Sequence, residues 1–169
     1  AYIIKARVTL LRDLGAPLAP QNAFMLIQGL ETLPLRMERH SENANAVAAY
    51  LNDHPKVSKT IHPSLMSGEP RRRADAVLSG GYGGLCGFEL KSGLEAGKAF
   101  IDSLEMFYHL ANIGDARSLA IHPASTTHSQ LTPEEQLATG VTDGYVRLSI
   151  GLEHIDDIIA DLAQALDKA

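Results

Sequence analysis

Two strand-like patterns in the second half of the sequence could place an arginine and a serine on one face of a β-sheet. In residues 145–150 apolar residues alternate with Arg147 and Ser149, and in residues 117–121 Ser118 alternates with apolar neighbours. Successive side chains of a strand point to opposite faces, so each pattern predicts one polar face. If the two strands pair, the Arg147 guanidinium and the Ser118 hydroxyl are expected to converge on one side of the sheet.

An arginine in such a position could hold a carboxylate. Its guanidinium donates two parallel hydrogen bonds to the carboxylate oxygens, and a neighbouring hydroxyl or backbone N–H can add a third. By the alternation alone, an arginine on a solvated sheet face is the more frequent outcome. A binding role therefore needs support from elsewhere in the sequence.

Three other features favour structural interpretations. The glycine-rich run Ser79–Gly84 precedes a strand and lacks the lysine and hydroxyl of a phosphate loop, which predicts a surface loop. His122 and His128 follow no known metal-ligand spacing, so we predict no metal site. Cys86 stands in an apolar strand without a base assigned to it, which favours a buried small side chain over a nucleophile.

Composition excludes several classes of partner. The chain has 169 residues and a formal net charge of -5, which argues against nucleic acid or an anionic membrane as a partner. The one basic cluster, Arg71–Arg73, is predicted to be solvated. No run reaches the roughly 20 apolar residues of a membrane-spanning helix, and one cysteine fits a reducing, cytoplasmic location.

The remaining sequence predicts the elements that must position these side chains. Residues 1–14 predict a short helix ending at Gly15, and a helix of about 30 residues starts at Pro20 and is bent by Pro34. Strands and helices then alternate, which predicts an α+β domain with a mixed or antiparallel sheet and helices on one face. The predicted strands are 57–61, 85–90, 107–110, 117–121 and 145–150, and the predicted later helices are 72–78, 94–104, 133–138 and 155–166.

Several longer strings resemble one known family. They are residues 28–33 (QGLETL), 35–40 (LRMERH), 112–119 (NIGDARSL), 122–131 (HPASTTHSQL) and 146–154 (VRLSIGLEH). Together they resemble the C-terminal domain of the O-acetylhomoserine sulfhydrylases, within the cysteine and methionine metabolism family of pyridoxal-phosphate enzymes. The resemblance covers nearly the whole chain, with Ile61–Gly84 the least similar stretch.

The resemblance implies a fold and a site. The family has the fold-type I (aspartate-aminotransferase-like) architecture of a large cofactor domain, a linking helix and a small C-terminal domain. Residues 1–36 would then be the tail of the large domain and the start of the interdomain helix, and residues 37–169 the small substrate-binding domain. Arg147 matches the arginine that holds the substrate α-carboxylate, Ser118 matches a residue that assists it, and Asn112 lies in the loop lining that pocket.

The resemblance also implies what this stretch of sequence lacks. The family's Schiff-base lysine follows a Ser-x-Thr run that does not occur here, and Lys5 does not match it. This chain by itself is therefore expected to bind no pyridoxal 5'-phosphate and to be inactive. An abrupt, structured start at Ala1 agrees with a C-terminal fragment. The implied partners are an N-terminal cofactor domain, further copies in a homo-oligomer such as a tetramer, and a small-molecule substrate.

Thr126, in the HPASTTHS string, favours the sulfhydrylase branch of the family, where cystathionine synthases and lyases more often have methionine. The implied reaction converts O-acetyl-L-homoserine and sulfide to L-homocysteine and acetate, a step of methionine biosynthesis. Two alternatives stay open: a cystathionine γ-synthase or a methionine or cystathionine γ-lyase of the same family, and a non-catalytic carboxylate-binding or oligomerisation module.

Overall fold

The computed structural model describes residues 1–169, which divide into two units, Ala1–Pro34 and Leu35–Ala169. The boundary lies two residues before the predicted one. Assignment of the first unit to a cofactor domain stays a prediction. None of the helices combines the length and the apolar character that a membrane crossing requires.

The first unit is helical and has no buried residue in its helices. Helix α1 (Tyr2–Lys5) continues as a π-helical segment (Ala6–Leu14) that ends at Gly15, where φ is +81°. Glycine adopts this left-handed conformation without the strain that a Cβ brings. Helix α2 (Pro20–Glu31) begins with its proline in the first turn, where no backbone donor is needed.

The long helix expected after Pro20 is two helices. Helix α2 ends at Glu31, Thr32 leaves the helical conformation, and α3 (Leu33–Asn52) begins immediately after it. Pro34 explains the break, because proline lacks the N–H that would bond to the preceding turn. The prediction of one bent helix was wrong in detail, and its breakpoint lies two residues before the proline.

The second unit is built on a five-stranded mixed sheet of order β1-β2-β5-β4-β3. All pairs are antiparallel except β3 with β4. Two strands are shorter than predicted, because only part of 107–110 and of 117–121 pairs. The strands are β1 (Val57–Ile61), β2 (Leu85–Leu90), β3 (Tyr108–His109), β4 (Leu119–Ile121) and β5 (Tyr145–Ser149).

Helices cover one face of this sheet, here called the back face. Helices α3, α5 (Gly93–Ser103) and α7 (Ile155–Lys168) contribute apolar side chains to one core with the inward residues of β2, β4 and β5. At its centre the rings of Phe88 and Phe100 meet edge to face, with centroids 5.3 Å apart, an arrangement that aromatic pairs favour. The prediction of an α+β domain with helices on one face is confirmed.

Two shorter helices, α4 (Gly68–Val77) and α6 (Pro133–Ala138), lie in the connections. Helix α6 starts with a capping box, in which the Thr132 hydroxyl and the Glu135 carboxylate each accept a backbone N–H of the other residue. Such reciprocal bonds satisfy donors that a helix start leaves unpaired.

Candidate carboxylate-binding site

Arg147 lies at the middle of the other face of the sheet, here called the front face. Ile61, Gly87, Arg147 and Ile121 are successive partners across β1, β2, β5 and β4, and directly paired residues share a face. Val146 and Leu148, its neighbours along the strand, are fully buried on the back face. The predicted alternation along β5 is therefore present, and it aims Arg147 away from the core.

The guanidinium of Arg147 has few partners in the protein. Its Nη2 donates to the backbone carbonyl of Asn112 over 3.2 Å, whereas its Nε is buried and has no hydrogen-bond partner. No carboxylate lies within 4.0 Å of it to form an ion pair. An unpaired buried donor on a permanently charged group is costly, so the arrangement favours an anionic ligand.

Two cavities flank Arg147 on the front face. The first cavity, about 370 Å³, lies on the side of β1 and β2, and the second, about 430 Å³, lies towards the β4 side. Ile61, Tyr145 and Arg147 line both. Other lining residues of the first are His62, Pro63, Met66, Tyr82, Leu85, Cys86 and Gly87, and of the second Ala111, Ile121, Pro123, Thr127, His128, Thr139, Gly140 and Val141.

Tyr145 is held over the sheet by the absence of a side chain at Gly87. A Cβ at Gly87 would lie 2.7 Å from both Cε2 and Oη of the Tyr145 ring. Burial raises the pKa of Tyr145, and the nearby Arg147 charge opposes that shift. The phenol thus stays protonated beside the guanidinium. The sequence reasoning missed both residues, although a glycine inside a strand signals a close approach of this kind.

Asn112 contacts Arg147 through its backbone, and its place in a substrate pocket stays a prediction. Its carbonyl accepts from the guanidinium, while its side-chain Oδ1 accepts the N–H of Ile113 over 2.9 Å. The Ser149 hydroxyl, on the front face beside Arg147, accepts the N–H of Gly114 over 3.3 Å. This bond ties the loop carrying Asn112 to β5.

Ser118 does not converge with Arg147, and that expectation was wrong. Strand β4 pairs with β5 so that Leu119 faces Ser149 and Ile121 faces Arg147, which leaves Ser118 on the back face. Its side chain is fully buried, donates to Glu153 Oε2 over 2.9 Å and accepts the N–H of Gly151 over 2.9 Å. The alternation was correct along each strand, but the pairing register decides which faces coincide.

The bonds of Ser118 form a clamp at the base of the Asn112 loop. The Glu153 carboxylate accepts the Ser118 N–H over 2.7 Å as well as its hydroxyl. Asn43, on α3, donates to the carbonyls of Gly151 and Glu153, each over 3.0 Å. A Cβ at Gly151 would come within 2.3 Å of Glu153 Oε2. These contacts anchor the chain where the site loop leaves the sheet.

Other candidate residues have structural roles. The two ring nitrogens of His122 are bonded to the Ser125 hydroxyl (2.8 Å) and to the Asp143 carbonyl (2.7 Å), and no group of His, Cys, Asp or Glu side chains is arranged to hold a metal ion. Cys86 is buried on the back-face side of β2, and burial raises the pKa of its thiol to about 12. Such a thiol is a packing side chain, as predicted, and a poor nucleophile.

The Cys/Met metabolism PLP-dependent enzyme family matches residues 2–167 of the chain. The chain belongs to this family. It is 57% identical to the O-acetyl-L-homoserine sulfhydrylase of Leptospira meyeri, over 98% of this chain and 38% of that protein. It is 48% identical to the homocysteine synthase of Schizosaccharomyces pombe, over 100% of this chain and 39% of that one.

A solved structure agrees with the fold. It is a provisionally assigned O-acetylhomoserine (thiol)-lyase of Campylobacter jejuni that contains N'-pyridoxyl-lysine-5'-monophosphate, with a TM-score of 0.87 and 48% identity over 97% of this chain and 39% of that chain. The second unit therefore has the fold of the small domain of a fold-type I pyridoxal-phosphate enzyme. The chain spans about two fifths of the length of the curated relatives it matches.

The residues around Arg147 do not include a lysine that could bind pyridoxal phosphate covalently. No lysine lines either cavity beside Arg147. Lys56 donates to the carbonyls of Leu166, Asp167 and Ala169, Lys59 pairs with Glu89, and Lys91 donates to Pro55. A group that must be bound covalently by a lysine is thus not held by these residues.

Proposed function

We propose that this chain supplies the substrate-carboxylate side of the active site of a pyridoxal-phosphate-dependent O-acetylhomoserine sulfhydrylase. The reaction of the whole enzyme is replacement of acetate on O-acetyl-L-homoserine by sulfide, which gives L-homocysteine. The observation that carries the proposal is the Arg147 guanidinium, whose buried Nε has no partner and whose charge has no carboxylate in this chain. Pyridoxal phosphate acts as an electron sink for carbanions next to an amino group, and the cofactor and its lysine belong to the part of the enzyme outside this chain.

In this proposal each residue near Arg147 has a task in binding the carboxylate. Arg147 receives the α-carboxylate of the amino acid through its free N–H groups, and the Asn112 carbonyl fixes the orientation of the guanidinium from the other side. The protonated Tyr145 phenol lines the same cavities as Arg147 and would help to exclude water from the guanidinium, which strengthens the charge-assisted bonds. Ser118 does not contact the carboxylate itself; its clamp positions the loop that carries Asn112.

The apolar residues of the first unit fit an interdomain role. Phe24, Ile27 and Leu30 recur along one helix, and each is more than half exposed. A remaining domain of the enzyme would cover such a surface, because apolar side chains in contiguous exposed patches usually mark an interface. Without that domain, we expect the first unit to promote self-association of the chain.

The test is replacement of Arg147 by methionine and by lysine in the full-length enzyme that carries this chain. Loss of one partner of a desolvated charge pair costs about 2–5 kcal/mol, so the Arg147→Met variant should lower kcat/KM for O-acetyl-L-homoserine by about 30-fold to several thousandfold. Arg147→Lys keeps the charge without the planar fork and should recover only part of this loss. Sulfide-dependent homocysteine formation is the measurement.

The matched control is Arg117→Met. Arg117 is exposed and its guanidinium lies over the Tyr108 ring, 4.7 Å from the centroid, so its loss should leave kcat/KM nearly unchanged. If Arg147→Met kept kcat/KM within threefold of the parent enzyme, Arg147 would not be the carboxylate ligand.

A γ-lyase is the second candidate, because L-methionine γ-lyases of Fusobacterium nucleatum are among the relatives. Product analysis of the intact enzyme distinguishes the two reactions. A sulfhydrylase forms homocysteine only when sulfide is supplied, whereas a lyase releases ammonia and a 2-oxo acid from L-methionine without sulfide. Dominant 2-oxo acid formation would overturn the sulfhydrylase assignment and leave the Arg147 assignment intact.

A further inference from the structure

The first cavity contains a second buried donor without a partner. The His62 ring is 1% exposed, lines this cavity, and has no hydrogen-bond partner at Nε2. The other such donor that lines the cavity is Nε of Arg147. Unpaired buried donors are rare in folded proteins, so two of them in one apolar cavity indicate a ligand with acceptor atoms.

The tautomer of His62 follows from its neighbours. The backbone N–H of Ser64 donates to Nδ1 over 3.2 Å, and the Ser64 hydroxyl lies 2.8 Å from the same atom. Because Nδ1 accepts a backbone N–H, the hydrogen of the neutral ring is at Nε2. Burial lowers the pKa of His62, and the Gly83 backbone, which acts on the ring without forming a well-aligned hydrogen bond to Nε2, partly opposes that shift. The ring is therefore neutral at neutral pH and offers one N–H.

The wall around His62 is fixed by contacts within residues 62–84. The ring of Tyr82 meets the His62 ring edge-on, with centroids 6.2 Å apart. The Tyr82 hydroxyl donates to Asp75 over 2.6 Å, and Arg71 both bonds Asp75 and lies over the Tyr82 ring. His62 therefore occupies a preformed position, which keeps the cost of ordering low when a ligand binds.

The lining of the cavity suits the acyl end of a short ester. Apart from its two donors it is lined mainly by apolar side chains such as Ile61, Met66 and Leu85, and its volume of about 370 Å³ lies at the small end of ligand pockets. A methyl group fits the apolar wall and a carbonyl oxygen fits the single N–H of His62. A second carboxylate would have to be buried beside a neutral ring, which is unfavourable.

We propose that the first cavity is an acyl subsite: it holds the ester end of an O-acyl amino acid whose α-carboxylate is bound by Arg147, and the His62 Nε2–H donates to the acyl carbonyl oxygen. This inference rests on the proposed function, because it requires Arg147 to fix the other end of the substrate. It makes His62 a specificity-determining residue that favours acetyl over succinyl esters.

The experiment uses two non-reactive ligands that differ by one oxygen, 6-oxoheptanoate and heptanoate; both keep the carboxylate for Arg147, and neither has an amino group that could condense with the ketone. Their inhibition constants are measured against sulfide-dependent homocysteine formation by the full-length holoenzyme. A neutral hydrogen bond corresponds to roughly three- to tenfold in binding, so the ketone should bind tighter by about this ratio. A ratio near one in the parent enzyme would overturn the proposal.

The variants are His62→Asn and His62→Gln. Asparagine keeps an acceptor for the Ser64 N–H at the start of the short helix Pro63–Leu65 but places no donor at the position of Nε2, so the ratio should fall to about one. Glutamine reaches that position with an amide N–H and should retain part of the ratio. An unchanged inhibition constant for heptanoate shows that the His62→Asn enzyme is folded, and a changed one is resolved by the glutamine variant.

Failure of this inference and failure of the proposed function give different results. If Arg147→Met weakens both ligands equally while His62→Asn leaves their ratio unchanged, the acyl subsite is wrong and the carboxylate site stands. If Arg147→Met weakens neither ligand, the proposed function itself fails. The His62→Asn variant should also reduce the preference for O-acetyl- over O-succinyl-L-homoserine, measured as the ratio of their kcat/KM values.

Discussion

The two faces of the sheet differ in character: the back face holds the core, and the front face holds the proposed carboxylate site. On the back face, helices α3, α5 and α7 bury Val146 and Leu148 completely. On the front face, Arg147 lies between two cavities and keeps a buried N–H unpaired. Neighbouring residues of a single strand therefore serve opposite purposes, and substitutions one position apart should separate folding from binding.

The largest expected effect contrasts a back-face and a front-face substitution. Phe88 is fully buried and packs on Phe100, so Phe88→Ala should lower the free energy of unfolding by about 3–5 kcal/mol. Arg147→Met removes a costly unpaired donor and also one hydrogen bond to the Asn112 carbonyl. These two effects oppose each other and are each about 1 kcal/mol, so the net change should be far smaller than that of Phe88→Ala. Urea titration of this chain, followed by far-ultraviolet circular dichroism, measures both.

Comparable losses from the two variants would contradict this division. Such a result would mean that Arg147 contributes to folding through contacts beyond its bond to the Asn112 carbonyl. A matched front-face variant, Leu85→Ala, separates packing from charge, because Leu85 is partly exposed and lies beside the same cavity.

A smaller effect is expected at the clamp of Ser118, a back-face residue that anchors the front-face loop of Asn112. Ser118→Ala leaves the Gly151 N–H without its acceptor and one Glu153 oxygen without its donor, which should cost about 1–3 kcal/mol. Because the clamp anchors the Asn112 loop, KM for the amino-acid substrate should rise while kcat changes less. Steady-state kinetics of the full-length enzyme and urea titration of the chain give the two readouts.

Ser129→Ala is the control for the clamp. The Ser129 hydroxyl is exposed and donates only to the Thr126 carbonyl, three residues before it, so neither stability nor KM should move measurably. A Ser118→Ala enzyme with normal KM would show that the Asn112 loop is positioned without the clamp.

The sequence predicted the strands better than their relation to one another. The alternation around Arg147 was sufficient to place it opposite the core. The resemblance named Arg147 and Asn112, which the fold brings into contact, but their binding role stays a prediction. Ser118 was assigned to the wrong face because register is a property of two strands, and a slip of one residue exchanges all the faces. Single-strand alternation contains no information about that offset.

The sequence pattern also could not show where the absence of a side chain is required. Gly87 and Gly151 matter because a Cβ at either position would collide with Tyr145 or Glu153, and both collisions involve residues far away in sequence. The role of His62 depends on which of its nitrogens is bonded, which only the fold determines. Composition and periodicity describe local preferences, whereas these features arise from chain segments that meet after folding.

The smallest expected effect is a pH dependence of stability from His62. Burial lowers its pKa below the value in the unfolded chain, so the unfolded state binds a proton more readily. This residue therefore reduces stability as the pH falls below about 6.5, and its contribution is fully present above that pH. His62→Asn should flatten the acid side of the profile of unfolding midpoint against pH between 7.5 and 5, each buffer at constant ionic strength.

A front-face control sharpens this result. His128 lines the second cavity at a half-buried position, so His128→Asn is the control for loss of a histidine elsewhere on the front face, and its profile is compared with that of His62→Asn. If both variants had the same slope as the parent chain, the pH dependence would come from groups other than these two histidines.

The rate at which Cys86 is labelled by a thiol reagent reports how often the sheet opens around it. Thiol reagents attack the thiolate, and a buried thiol with a pKa of about 12 reacts only after the strand around it separates. Because the chain has a single cysteine, the labelling rate divided by that of an unfolded peptide gives the equilibrium constant for opening. Each tenfold decrease in this ratio corresponds to about 1.4 kcal/mol of opening free energy. A ligand bound at Arg147, on the opposite face of the same sheet, should lower the labelling rate of Cys86 without contacting its sulfur.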